Sequence, residues 1–225
     1  MSEAVTSAPA TPVAQARPAV AVVLSFAAGA TDAFAFLQLG GIFTANMTGN
    51  LILVGLFQRP GYTTTLIGAT VAVIVFALVA YLGFRLTLSR VGPSRGARLL
   101  LITATVVQVA VLAGYALTDR PLERALLCVF IALSSVAMAC QTVIGRTIEA
   151  RSGVTTTFVT GTLTSLMQNL ANGKRDFRTV RTLSIVALVG GALSGALAVA
   201  TDPLLGAALP LVPSLVALAL LATRR

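Results

Sequence analysis

Asp32 sits 13 residues into an apolar run that begins near Val20, in the stretch Gly29-Ala-Thr-Asp-Ala-Phe. A helix advances about 1.5 Å per residue, so its carboxyl falls roughly 20 Å along the run. An ionised carboxylate at that depth must face protein or a water-filled cavity, and it marks a functional site by default. Thr31 is its neighbour, and Gly29 lies one turn away, where a backbone or a ligand can approach closely. The structural alternative is an Asp that caps an interrupted helix or bonds the turn at Gly40-Gly41. Two semi-polar segments carry the other groups of interest, Gly40 to Phe57 (GGIFTANMTGNLILVGLF) and Val154 to Ala171 (VTTTFVTGTLTSLMQNLA). From the first come Asn46, Thr48, Gly49 and Asn50; from the second come Thr160, Gly161 and Thr162, with Thr164 beyond. Their side chains are neutral donors and acceptors, and the two glycines let the backbone leave helical geometry. A short helix starting beside either glycine would offer free N–H groups to an anion or a polar solute. Ordinary N-capping by Thr and Asn is the structural alternative.

Gln141 is the approximate second-half counterpart of Asp32: it precedes Thr160 by 19 residues, and Asp32 precedes Thr48 by 16. An amide in place of a carboxylate leaves one titratable group, suited to a proton or another single cation. A hydrogen bond to a neighbouring helix accounts for Gln141 equally well. No cofactor or metal is expected. The chain has no histidine, which removes imidazole acid/base chemistry and imidazole metal ligation. One intramembrane carboxylate is too few for an aspartyl protease, and no Gly-Lys phosphate loop occurs. We therefore expect a protein that is not an enzyme.

The elements that position these residues follow from hydropathy. Of 225 residues, 56% are hydrophobic and 10% charged, against roughly 25% charged in soluble domains. Apolar runs recur at about Val20 to Leu37, Leu66 to Leu88, Leu99 to Leu117, Ala125 to Ile144, Leu183 to Ala200 and Leu204 to Leu221. Each approaches the roughly 20 residues needed to cross a bilayer as a helix. The fold class expected is all-α, a polytopic membrane protein of six spans. Residues 1–18, rich in Ala, Pro, Ser and Thr, read as a disordered tail, and 19–225 as one transmembrane domain.

Basic residues separate the runs. With six spans, only Arg59, Arg120 and Arg124 of the 16 Lys and Arg fall on one side, leaving 13 on the other. The positive-inside rule makes the richer side cytoplasmic and puts both termini there. Counting the two semi-polar segments as full spans weakens the split to 10 against 6, so they are expected to be re-entrant or interfacial. The net charge of +9 is thus a topology signal, and no nucleic-acid partner is implied.

Met47-Thr-Gly-Asn-Leu51 aligns with Val159-Thr-Gly-Thr-Leu163, each after the first span of a three-span half. Halves with an odd number of spans lie in opposite orientations, so residues 19–117 and 125–221 would form inverted repeats, as in many secondary transporters. Gly191-Ala-Leu-Ser-Gly195 is a G-x-x-x-G pattern for close helix packing, within a subunit or between copies in a homo-oligomer. Pro210 and Pro213 should kink the last span. Cys128 and Cys140, 12 residues apart on one helix, are too distant to bond to each other.

Gly29-Ala-Thr-Asp-Ala-Phe-Ala-Phe, Gly40-Gly-Ile-Phe-Thr-Ala-Asn-Met-Thr-Gly-Asn-Leu and Val159-Thr-Gly-Thr-Leu-Thr together resemble the YoaK-like family of bacterial membrane proteins. The resemblance covers nearly all of the chain after the tail. It implies a multi-pass protein of the bacterial inner membrane, draws attention to the residues already singled out, and brings no established substrate. The reading that results is a secondary transporter or channel for a small polar solute or ion. The competing reading is a non-transporting scaffold or regulatory subunit, whose basic loops would engage anionic lipid or an acidic partner.

Overall fold

The computed structural model describes residues 12–152, 159–173 and 178–222. Of the expected tail, residues 1–11 lie outside the described residues, and 12–18 form the first turns of a helix. The described residues form nine helices and no strand. They are α1 (Pro12–Gln38), α2 (Met47–Gly55), α3 (Tyr62–Leu88), α4 (Pro93–Ala116), α5 (Arg124–Ser152), α6 (Val159–Ala171), α7 (Arg178–Thr201), α8 (Pro203–Ala208) and α9 (Leu211–Ala222). Helices α1, α3, α4, α5, α7 and the α8–α9 pair supply six segments long and apolar enough to cross a membrane. All six apolar runs are found where hydropathy put them. The semi-polar segments contain the two short helices, α2 and α6.

Lipid tails are as apolar as leucine, so residue size sorts the faces of these helices better than polarity does. On α7, Val186, Val189, Leu193 and Leu197 are each 60–61% exposed and form a stripe for lipid. The opposite face is small: a Cβ on Gly191 would overlap the carbonyl oxygen of Phe26, and one on Gly195 would lie 2.9 Å from that of Ala30. From the other side, a Cβ on Gly29 would collide with the carbonyl of Leu188. The G-x-x-x-G face is therefore occupied within the chain by α1, which leaves Gly191 and Gly195 no room for a second subunit.

The two most buried spans are α1 and α5. Helix α1 packs most extensively on α7, and α5 on α3; α5 also packs on α4 and α1 on α9; α2 rests on α3 and α6 on α7. Exchanging the first half for the second leaves this pattern of partners unchanged.

Polar and aromatic ties hold the ends of the bundle. Tyr115, fully buried in α4, donates its hydroxyl to Gln38 Oε1 at 2.8 Å and meets the rings of Phe34 and Phe130 edge-on. The Arg120 guanidinium covers the same ring, 4.8 Å from its centre, a favourable cation–π arrangement. At the far end, Arg98 donates to the Leu221 carbonyl at 3.2 Å, where a cation offsets the free carbonyls of a helix terminus. The last span breaks at Leu209-Pro210, between α8 and α9, because proline removes a helical donor. Both cysteines lie on α5 and are free.

Gly191→Val places two methyl groups against a backbone carbonyl that cannot rotate away. We expect it to cost at least about 3 kcal/mol through overpacking and to turn a monodisperse detergent-solubilised peak into aggregate on size exclusion. Gly190→Ala, whose new methyl would meet nothing within 4 Å, should leave the peak unchanged.

Candidate functional site

Helix α1 ends at Gln38, and the chain turns through Gly40 and Gly41 at φ of 77° and 73°. That left-handed backbone is costly for residues with a Cβ, and the side chain of Arg59 packs on Gly41. After the turn the chain runs back along α1 until it is level with Asp32, six residues before the helix end and thus about 9 Å along its axis.

Asp32 captures the returning loop. Its Oδ1 accepts from the Thr44 N–H at 2.7 Å, the Ala45 N–H at 2.8 Å and the Thr44 hydroxyl at 3.2 Å. Its Oδ2 accepts from the Asn46 N–H at 3.1 Å. Asn50 extends the clamp by one residue: Oδ1 accepts from the Phe43 N–H at 3.0 Å, and Nδ2 donates to the Phe43 carbonyl at 2.6 Å. Four successive backbone N–H groups, from Phe43 to Asn46, are thereby satisfied by two side chains. Asn46 then caps α2, its Oδ1 accepting from the Gly49 N–H at 3.1 Å. The Phe-Thr-Ala-Asn-Met-Thr-Gly-Asn block is thus a device that starts a helix at the depth of Asp32.

That helix opens onto a cavity of about 720 Å³. Helix α1 contributes Ala28, Gly29, Asp32, Ala33, Phe36 and Leu37 to its wall, and α7 contributes Leu188, Ala192 and Ala196. Phe43 and Ala45 to Gly49 line it at the start of α2, Val159 and Thr160 at the start of α6. Phe76 and Thr142 close it from α3 and α5. Both short helices begin here, beside one carboxylate.

Five of the ten residues expected at the site line this cavity: Asp32, Asn46, Thr48, Gly49 and Thr160. The other five do not. Thr31 donates its hydroxyl to the Ala27 carbonyl at 2.8 Å inside α1. Asn50 is fully buried and spends its amide on Phe43. Gly161 and Thr162 follow the cavity-lining start of α6, with Thr162 buried. Gln141 is buried elsewhere: its Nε2 donates to Ser214 Oγ at 3.2 Å, and Ser214 Oγ lies 2.7 Å from Gln108 Oε1 and 2.9 Å from the Pro210 carbonyl. Gln141 therefore bridges helices α5 and α9, the helix-contact role. Asp32 does not bond the turn at Gly40-Gly41; its partners are Thr44, Ala45 and Asn46, just before α2.

The sequence singled out neither Thr142 nor the aromatic wall of Phe36, Phe43 and Phe76 as part of a site. The rings are indistinguishable in sequence from lipid-facing residues. Thr142 carried one signal, a hydroxyl immediately after Gln141 on the helix that later proved most buried.

A family profile described as "Protein of unknown function (DUF1275)" matches residues 20–223. The chain belongs to that family. The UPF0700 transmembrane protein YoaK of Bacillus subtilis (strain 168) is 29% identical over 188 residues, covering 78% of this chain and 81% of the relative. With the six apolar helices, this makes the chain a multi-pass membrane protein of a YoaK-like family. No solved structure matches it.

Removing the carboxylate leaves three backbone N–H groups without their acceptor. Asp32→Ala should destabilise the fold by about 3 kcal/mol or more, since hydrogen bonds to charged groups contribute about 1.5–3 kcal/mol each. Hydrogen exchange should show Thr44 to Asn46 losing protection first. Ser214→Ala breaks an uncharged network, and bonds of that kind in membranes average about 0.6 kcal/mol. Its midpoint in a thermal melt should fall only slightly.

Proposed function

We propose that the protein is a small secondary transporter or channel that carries a small polar solute or ion across the bacterial inner membrane through the cavity beside Asp32. The observation that carries this reading is the convergence of α2 and α6, whose first residues line one cavity with the one carboxylate that, among the described residues, lies well inside a span. Interrupted helices that begin at a shared site near the middle of a bundle are the usual binding architecture of transporters built from inverted repeats. The exchange of partners between α1–α7 and α5–α3 supports reading the two halves as such a repeat. The charge distribution supports cytoplasmic termini, which directs the Gln38 end of α1 and the Arg59 and Arg120 loops outward.

Asp32 enters this reading as the residue that aims α2. Its hydrogen bonds to the loop also favour the competing reading, a scaffold that transports nothing, because a carboxylate held by backbone needs no substrate. The cavity favours transport, since a scaffold gains nothing from an unfilled volume where packing would stabilise it.

Cysteine labelling separates the two. With Cys128 and Cys140 replaced by Ala, Thr48→Cys and Thr160→Cys should each react with a membrane-impermeant thiol reagent applied to either face of reconstituted vesicles. Failure of both to react from either face would favour the scaffold, and reaction from one face alone would overturn passage through the cavity.

A further inference from the structure

We propose that the cavity selects an organic solute that is uncharged overall, with an oxygen-bearing head group that accepts hydrogen bonds and an apolar body. The proposal rests on the transport reading for the site's purpose, but on the chemistry of the wall for the class of ligand.

The volume suits an organic ligand better than a bare ion. A volume of about 720 Å³ lies within the roughly 300–1,000 Å³ of pockets for small organic ligands.

The polar groups that remain for a ligand can all donate: backbone N–H groups at the start of α2 and the hydroxyls of Thr48, Thr142 and Thr160, which can also accept. Asp32 already accepts four hydrogen bonds, about the capacity of a carboxylate, and Asn46 Oδ1 is engaged by Gly49. At the start of α2, no group among the described residues accepts from the N–H of Met47 or Thr48, as expected for the first turn of a helix. A second, independent mark of a ligand comes from α5. Thr142 is 4% exposed, lines the cavity, and its hydroxyl has no partner among the described residues. A buried threonine in a helix ordinarily returns its hydroxyl to a carbonyl of the preceding turn, as Thr31 and Thr105 do here. An acceptor on a bound solute would satisfy Thr142.

Charge then sets the sign. Each helix N-terminus carries roughly half a positive charge, so α2 and α6 together offset the single negative charge of Asp32. Among the described residues, no lysine or arginine lines the cavity. A site already balanced near zero disfavours a net charge on its ligand, because a charge taken from water into such surroundings needs a counter-charge. Phe36, Phe43 and Phe76 offer an apolar wall to the remainder of the molecule; Phe36 and Phe43 stack at 4.8 Å between ring centres.

An isosteric pair tests this: N-acetylphenylalanine amide, uncharged, and N-acetylphenylalanine, a carboxylate, each titrated calorimetrically into the protein in lipid nanodiscs. The amide should bind saturably at one site per chain, and the carboxylate at least tenfold more weakly. Thr142→Val, nearly isosteric at a buried position, should weaken the amide about five- to tenfold, while Ser135→Ala should leave it unchanged. Asp32→Asn, if folded, should remove the preference and let the carboxylate bind as tightly as the amide. Equal or tighter binding of the carboxylate by the unmodified protein, or saturable binding of neither probe, would overturn the proposal. A parallel flux measurement on reconstituted vesicles keeps the two readings apart. Chloride or potassium flux blocked by Thr48→Trp, without amide binding, sustains transport and overturns the solute class. Amide binding without amide flux sustains the solute class and overturns transport.

Discussion

One carboxylate organises the first half of this protein. Asp32 takes the backbone N–H groups of Thr44, Ala45 and Asn46, and everything distinctive about the first half depends on that capture. Without it the chain leaving α1 would have no reason to double back, since a backbone inside a bilayer must find partners for its polar groups. With it the loop is satisfied, Asn46 is placed to cap α2, and a helix begins beside the cavity instead of at a surface. A charge that is costly in apolar surroundings becomes affordable because three backbone donors and a hydroxyl surround it. The proposed site and the stability of the loop therefore share a residue.

The second constraint is steric. Helices α1 and α7 approach so closely that Gly29, Gly191 and Gly195 each face backbone of the other helix. Close approach of two backbones brings dispersion contacts that lipid cannot replace. The cavity lies on the margin of that same contact, where Ala192 and Ala196 continue the small face of α7 and Ala33 continues that of α1. Gly29 belongs to both, packed on α7 and lining the open volume.

Much of this was legible in the sequence, and the parts that were not have physical reasons. Six spans follow from hydropathy because length and apolarity are one-dimensional properties, and the break at Pro210 follows from a missing donor. The similarity of the Thr48 and Thr160 segments is legible in the sequence, whereas their meeting at one cavity is visible only in the structure. The division of labour inside the motif was not legible: Asn50 reads as a ligand on composition, yet its amide matches the donor and acceptor of a single residue, Phe43, a pairing set by loop geometry. Gln141 misled for a related reason, since its partner Ser214 is 73 residues away on the far side of a helix break. Phe36 and Phe76 escaped notice because sequence does not reveal which side of an apolar helix faces a void, and Thr142 offered only its place beside Gln141.

The clamp on Asp32 also bears on how the chain enters the membrane. Its partners lie only 12 to 14 residues downstream, so the charge can be neutralised while the first span is still the newest segment in the bilayer. The seam with α7 cannot close until the fifth span arrives. Insertion thus begins with a self-contained hairpin that already hides its charge, and the fifth of six spans later locks onto a waiting groove. A lesion in the hairpin would be met early, during synthesis, whereas a lesion in the seam would let the chain insert completely and fail only at assembly.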